Sequence, residues 1–155
     1  MNRLAAWLGL SAGIVIADQL TKHSITSLLE RGEHVKVTPF FDIVLVYNSG
    51  AAFSFLAGAS GWQRWFFVAL AIAISIWLVR LVSRHRAERL MPLSLSMILG
   101  GAVGNVIDRI VHGYVVDFVH AHWGAAYFPA FNIADSAITI GAALLMLDAF
   151  REKRA

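Results

Sequence analysis

Four stretches of this chain are apolar for long enough to cross a bilayer, which takes ~20 residues of helix. They cover about 4–28, 62–82, 90–110 and 133–150. Between the first two the pattern changes. His34-Val35-Lys36-Val37-Thr38 alternates polar with apolar residues, and Asp42-Ile43-Val44-Leu45-Val46-Tyr47 is rich in β-branched and aromatic ones. Both read as short strands around Pro39, and Asn48-Ser49-Gly50 is a turn signal. The segment 33–56 is therefore expected to form a small sheet on the membrane surface, whose edge could receive an extended peptide by strand addition. A plain connecting hairpin fits the local pattern as well. A second connection, 119–131, is rich in aromatic and small residues and reads as a loop that could close over its surroundings like a lid. The expected architecture is one domain over 1–155: a mainly α membrane protein with four transmembrane helices and, on one side, a small β-sheet cradle and a loop.

Composition agrees. Of 155 residues, 58% are hydrophobic and only 15% charged, against roughly 25% charged in soluble domains. The mean hydropathy is +0.65. There is no cysteine, which excludes disulfides, thiolate enzymes and thiolate metal sites. The first apolar stretch carries Asp18 and Lys22 and lacks a small-x-small cleavage site, so it reads as a retained helix rather than a signal peptide. Trp7, Trp62, Trp65, Trp77, Trp123, Tyr114 and Tyr127 mostly fall near span ends, where amphipathic rings sit at headgroup level. Trp77 is equally readable as bundle filler.

The net charge of +3 does not point to nucleic acid, because basic residues on a membrane chain report topology. The N-terminus, the 83–89 turn with its flanks and the C-terminus hold Arg3, Arg80, Arg84, Arg86, Arg89, Arg151, Lys153 and Arg154, eight in all. The opposite side holds five: Lys22, Arg31, Lys36, Arg64 and Arg109. The first side is expected to be cytoplasmic, both termini included. Asp18, Lys22, Asn48, Asp108, Arg109, Asp117 and Asp135 then all gather at the outer interface.

Carboxylates beside hydrocarbon are costly and mark function. Asp135 opens the fourth span; Asp117 sits in Val115-Val116-Asp117-Phe118. If the two approach, they suit amide hydrolysis, one taking a proton from water and the other giving one to the scissile group. Spacing alone leaves other readings open. Asp135 could be an N-cap or first-turn carboxylate satisfying helix amides, and Asp117 could pair with Arg109. Asp18 and Lys22, four apart, could form an intrahelical ion pair, or organise the outer half of the bundle. Arg109 could snorkel to headgroups while Asp108 pairs locally, or Asn105 and Arg109 could present one polar face to a substrate. His120-x-His122 with Asp117 resembles a weak metal set. No phosphate loop and no Gly-x-Ser-x-Gly element occurs. A proton-relaying transporter subunit and a structural scaffold remain alternatives.

Five blocks in order change the balance: Asp18-Gln19-Leu20-Thr21-Lys22; Tyr47-Asn48-Ser49-Gly50-Ala51-Ala52-Phe53-Ser54; Gly100-Gly101-Ala102-Val103-Gly104-Asn105-Val106-Ile107-Asp108-Arg109; Val115-Val116-Asp117-Phe118; and Phe131-Asn132-Ile133-Ala134-Asp135-Ser136. Together they closely resemble the lipoprotein signal peptidase family, signal peptidase II; Ser49 stands where a threonine is often found. The resemblance implies an aspartyl endopeptidase of the bacterial inner membrane, active at the periplasmic side. It would remove signal peptides from diacylglyceryl-modified prolipoproteins, cutting on the amino side of the lipidated cysteine. It implies Asp117 and Asp135 as the catalytic pair. Asn48, Gly50, Asn105, Arg109 and Asn132 would line the substrate site, with Asp18, Lys22 and Asp108 in support. It further implies no cofactor or metal, contact with membrane lipids, a monomer, and sensitivity to globomycin-type cyclic peptide inhibitors.

Overall fold

The structure, a computed structural model, describes residues 3–49, 62–124 and 126–152. Helix α1 (Arg3–Leu28) leads into strands β1 (His34–Thr38) and β2 (Phe41–Asn48). Helices α2 (Trp62–Arg84) and α3 (Leu90–Val111) follow, then β3 (Val115–Trp123), β4 (Ala126–Tyr127) and α4 (Ile133–Glu152). All four helices are long and apolar enough to cross a membrane, within two residues of the expected bounds. Gly50 and the 51–54 block lie outside the described residues.

The bundle is organised around α3. More than half of its apolar window is buried (56%), against 11 to 17% for the other three. Those three turn large apolar side chains outward: Leu20, Trp77 and Met146 are 62%, 59% and 59% exposed. In water such surface would be costly; in hydrocarbon it costs nothing. The exposure also settles Trp77, which faces outward and does not fill the bundle.

The core has two zones. At the end holding the 83–89 turn it is apolar: Leu78 and Val82 of α2 meet Leu95 and Leu99 of α3, with Leu4, Trp7 and Leu8 of α1 packed against them. Arg3 and Trp7 donate there to the carbonyls of Ala87 and Arg86. At the other end, where the sheet sits, polar residues are buried beside apolar ones: Asp18, Lys22, Asn105, Asp108, Asp117 and Asn132 among Val44, Leu45, Val115 and Ala134. Close approach of α3 to α4 depends on glycine. A Cβ at Gly101 would run into the Ala134 carbonyl oxygen and lie 2.7 Å from Ile138 Cγ1.

Helix α3 ends at Gly113, whose φ of +85° is readily adopted only without a side chain. The chain then turns into β3. The sheet has the order β1-β2-β3-β4, antiparallel throughout. A bulge in β2 between Ile43 and Val46 shifts its register against β3. The segment expected to be an open loop is half strand. β3 extends to Trp123, the chain folds back through β4, Phe128 donates to the Ala121 carbonyl, and Phe131 bridges Val119. Its residues 115–118 are all buried, because a central strand is covered on both faces. That hides the alternation by which half-exposed strands are recognised.

Gly101→Ala is expected to destabilise the protein by about 1–3 kcal/mol through overpacking. Gly9→Ala, where nothing lies within 4 Å of the added methyl, is expected to be neutral. Thermal unfolding in detergent compares them, and equal midpoints for the two variants would contradict the packing argument.

Candidate active site

The fold-back of 119–131 is what brings the two aspartates together. The carbonyl of Phe131 accepts from the backbone N–H groups of Phe118 (3.0 Å) and Val119 (2.8 Å), and its own N–H returns to the Val119 carbonyl. The next residue, Asn132, therefore lies beside Asp117, and Asp135 follows in the first turn of α4.

Asn132 holds the junction. It is fully buried and caps α4: its Oδ1 accepts from the Asp135 N–H at 2.8 Å, the usual N-cap bond to the third helical residue. The same amide donates through Nδ2 to Asp117 Oδ1 at 2.7 Å. The cap fixes which amide atom faces Asp117. Asn48 Nδ2, at the end of β2, donates to the other oxygen, Oδ2, at 3.0 Å. Asp135 receives Asn105 Nδ2 of α3 at 2.7 Å on Oδ1. Of the two alternatives for Asp135 the N-cap is corrected, since Asn132 has that role; Asp135 lies in the first turn, with its carboxylate turned to Asn105.

A second tier stands behind these amides. Lys22 Nζ lies 2.8 Å from Asp18 Oδ2 and 2.9 Å from Asp108 Oδ2, and donates to Asn105 Oδ1 at 3.0 Å. Each acid also takes a backbone N–H from a different element. Ala134 of α4 donates to Asp18 Oδ1 and Val116 of β3 to Asp108 Oδ2, both at 3.0 Å. Asp18 and Lys22 thus are an intrahelical pair and also organise the sheet end of the bundle. Asp108 does not pair locally, since its cation comes from α1. Gln19, not singled out for any role from the sequence, donates to Asp108 Oδ1 at 2.8 Å and to Asp18 Oδ2 at 3.2 Å. Its position one residue after Asp18 was the available signal.

Among the described residues, neither Asp117 nor Asp135 belongs to an ion pair. Pairing of Asp117 with Arg109 is thereby corrected. Arg109 donates to the Asn105 carbonyl at 3.3 Å and lies over the Phe67 ring, 5.5 Å from its centroid. The set of Asp117 with His120 and His122 is corrected too. Side chains alternate along a strand, so residues three and five apart point to opposite faces of the sheet. Asn48, Asn105, Asn132, Asp117 and Asp135 come together as expected.

Comparison with known proteins decides the family. The signal peptidase (SPase) II family model matches residues 10–151. The chain belongs to the signal peptidase II family. A lipoprotein signal peptidase of Azoarcus sp. (strain BH72) is 55% identical over 140 residues, 90% of this chain and 80% of the relative. One of Paraburkholderia phymatum is 51% identical over 151 residues, 97% and 91% of the two chains. A solved bacterial membrane enzyme structure superposes with a TM-score of 0.85 at 34% identity, covering 96% of this chain and 90% of that one. As a signal peptidase II, the chain is a multi-pass membrane hydrolase that removes signal peptides from prolipoproteins.

In this signal peptidase II, Asp117 titrates abnormally. Burial pushes its carboxyl up from the ordinary 3.8 to about 6. The Asn48 amide opposes this by favouring the charged form, the charge of Asp135 adds to the rise, and Asn132 and Lys22 oppose it. Folded Asp117 therefore holds its proton more tightly than the unfolded chain does. Its contribution to stability is greatest below 3.8 and is lost as pH rises through about 6. Asp135→Asn removes one upward push, so the Asp117 midpoint is expected to fall. Infrared titration of ¹³C-aspartate protein, with Asp117→Asn as the blank, reads it; an unchanged or higher midpoint in Asp135→Asn would refute the electrostatic coupling.

Proposed function

We propose that the chain is an aspartic endopeptidase whose catalytic dyad is Asp117 and Asp135. The proposal rests on one observation: two aspartates from different elements meet at Asn132, Asp117 through its carboxylate and Asp135 through its backbone N–H, and both carboxylates accept amide donors with no ion pair among the described residues. Two carboxyl groups that share one proton suit general acid–base chemistry. One aspartate takes a proton from the attacking water as its oxygen bonds to the scissile carbonyl carbon. The other protonates the carbonyl oxygen; when the C–N bond breaks, a proton passes to the leaving amine. General acid–base assistance of this kind contributes about 10²–10⁴-fold.

The substrates we infer are prolipoproteins already carrying diacylglycerol, cut on the amino side of the lipidated cysteine. A groove of about 490 Å³ opens beside Asp135, lined by Phe128 and Phe131 and by Thr139 and Ile140 on one face of α4. An acyl chain or apolar side chain laid there stays in an apolar environment, at ~0.8 kcal/mol per buried CH₂, while the scissile bond meets the carboxylates. Two larger cavities, of about 580 and 520 Å³, lie at Arg3 and Trp7 and between α1 and α2, and neither touches the dyad. Asn48, Asn105 and Asn132 brace the aspartates through their amides and border the proposed substrate site. Gly50 and Arg109 are proposed substrate contacts, and Asp18, Lys22 and Asp108 the support. Globomycin-type cyclic peptides would block the same dyad.

Asp117→Asn and Asp135→Asn are each expected to slow cleavage of a diacylglyceryl-modified peptide by about 10²–10⁴-fold while the protein still accumulates in membranes. Full cleavage by either variant would end the dyad assignment.

We further propose that the protein lies in the inner membrane with dyad and sheet on the periplasmic side and both termini in the cytoplasm. The excess of Lys and Arg at the opposite end supports this. Because the chain has no cysteine, introduced ones report sidedness cleanly. In intact spheroplasts an impermeant maleimide is expected to label Trp123→Cys and to spare Glu88→Cys. The opposite pattern would invert the topology.

A further inference from the structure

The sheet has a second polar face that peptide cleavage does not use. His120 and His122 leave β3 on the face opposite Asp117. There His120 is the register partner of Asp42 in β2, and β1 contributes His34. One potential ligand atom from each of His34, Asp42 and His120 lies within 4.8 Å of the other two. The rings of His34 and His120 meet edge-on at 5.6 Å. His122 Nε2 lies 3.4 Å from Asp42 Oδ1.

This cluster is unsatisfied as well as close. Asp42 is only 5% exposed. Its Oδ1, His120 Nδ1 and both ring nitrogens of His122 are buried and have no hydrogen-bond partner among the described residues. Buried polar atoms are almost always bonded, and a buried carboxylate oxygen without a donor is expensive. The short His122–Asp42 approach does not relieve this, because it lacks hydrogen-bond geometry.

One cation would engage Asp42 Oδ1 together with one ring nitrogen each of His120 and His122. Zinc-type ions bind imidazole nitrogen and carboxylate oxygen at about 2.0–2.2 Å in tetrahedral sites, which places ligand atoms about 3.3 Å apart. The His122–Asp42 distance of 3.4 Å already matches, and the ligand atoms of His34, Asp42 and His120 lie within 4.8 Å of one another. Magnesium and calcium prefer all-oxygen shells, so three imidazoles select a borderline transition cation. Tyr127 stacks on His120 at 5.1 Å and lies 5.2 Å from His122, closing the flank of the cluster.

We propose that His34, Asp42 and His120, with His122 as fourth ligand, form a site for one zinc-class divalent cation on the sheet face opposite the dyad. The ligands come from β1, β2 and β3, residues distant in sequence. The ion ties the first hairpin to the strand that carries Asp117, and its role is structural. Peptide cleavage does not pass through it.

The test uses full-length, tag-free protein in detergent, stripped with a chelator and re-equilibrated with Zn²⁺ alone. Wild type is expected to retain one zinc per chain by elemental analysis, to show the visible spectrum of a tetrahedral site with Co²⁺, and to unfold at higher temperature when loaded. The His120→Ala/His122→Ala double variant loses all three responses, and the remote His85→Ala variant keeps them. Asp42→Asn, which preserves the side-chain volume, keeps the fold but binds at least tenfold more weakly. Equal uptake by wild type and the double variant, or no stoichiometric uptake by wild type, overturns the site. Loss of cleavage on chelation overturns the structural role while leaving the dyad assignment intact.

Discussion

The buried ammonium of Lys22 is the contact on which the sheet end of this protein depends. It is 4% exposed and sits between two carboxylates that are 0% and 2% exposed. Such charges are tolerable only when every lone pair is used, and removing one partner of a buried ion pair costs about 3–5 kcal/mol. Here the remaining valences become structure. Asp18 reaches the first turn of α4, Asp108 reaches β3, and Asn105 passes from the ammonium to Asp135. One cation thus fixes the relative position of three helices and a strand. The apolar zone at the far end needs no such direction, and there Leu78, Val82, Leu95 and Leu99 simply pack.

The aspartates sit one layer out from this cation and are held by amides rather than by charge. A guanidinium or ammonium against Asp117 would lower its pKa and fix it as an ion. An asparagine positions the oxygens while leaving burial free to raise the pKa, here to about 6. Position and basicity are set by different atoms. The same separation runs through the polar end: Lys22 pairs with Asp18 and Asp108, amides stand between this group and Asp117 and Asp135, and Asp135 lines the groove.

The parts legible in the sequence were those that depend on local pattern. Span length gave the four helices, and β-branched runs gave β1 and β2. The four-residue spacing of Asp18 and Lys22 gave their pair. β3 was not read as a strand: residues 115–118, all buried, show no alternation, and the aromatic and small residues of 119–131 read as a loop. Asp135 follows Asp117 by 18 residues, and no local rule says whether such a separation closes. The answer lies in the pairing of Val119 with Phe131, a long-range register. Ordered motifs pointed to the family because they record such long-range geometry without displaying it. The double duty of Asn132 was hidden for a similar reason. An asparagine before an apolar helix reads as a cap, and nothing nearby says that its other end is engaged.

The Asp18–Lys22 spacing also bears on how the chain enters the bilayer. Transmembrane helices form before they associate, so α1 must reside in lipid before α3 arrives beside it. An acid and a base one turn apart neutralise each other as soon as the helix forms, with no neighbour required. The charges that later organise the site therefore travel as an internally compensated dipole, and α3 has only to complete a pairing that α1 brings with it. Membrane insertion and assembly of the site are in this way made successive rather than simultaneous problems.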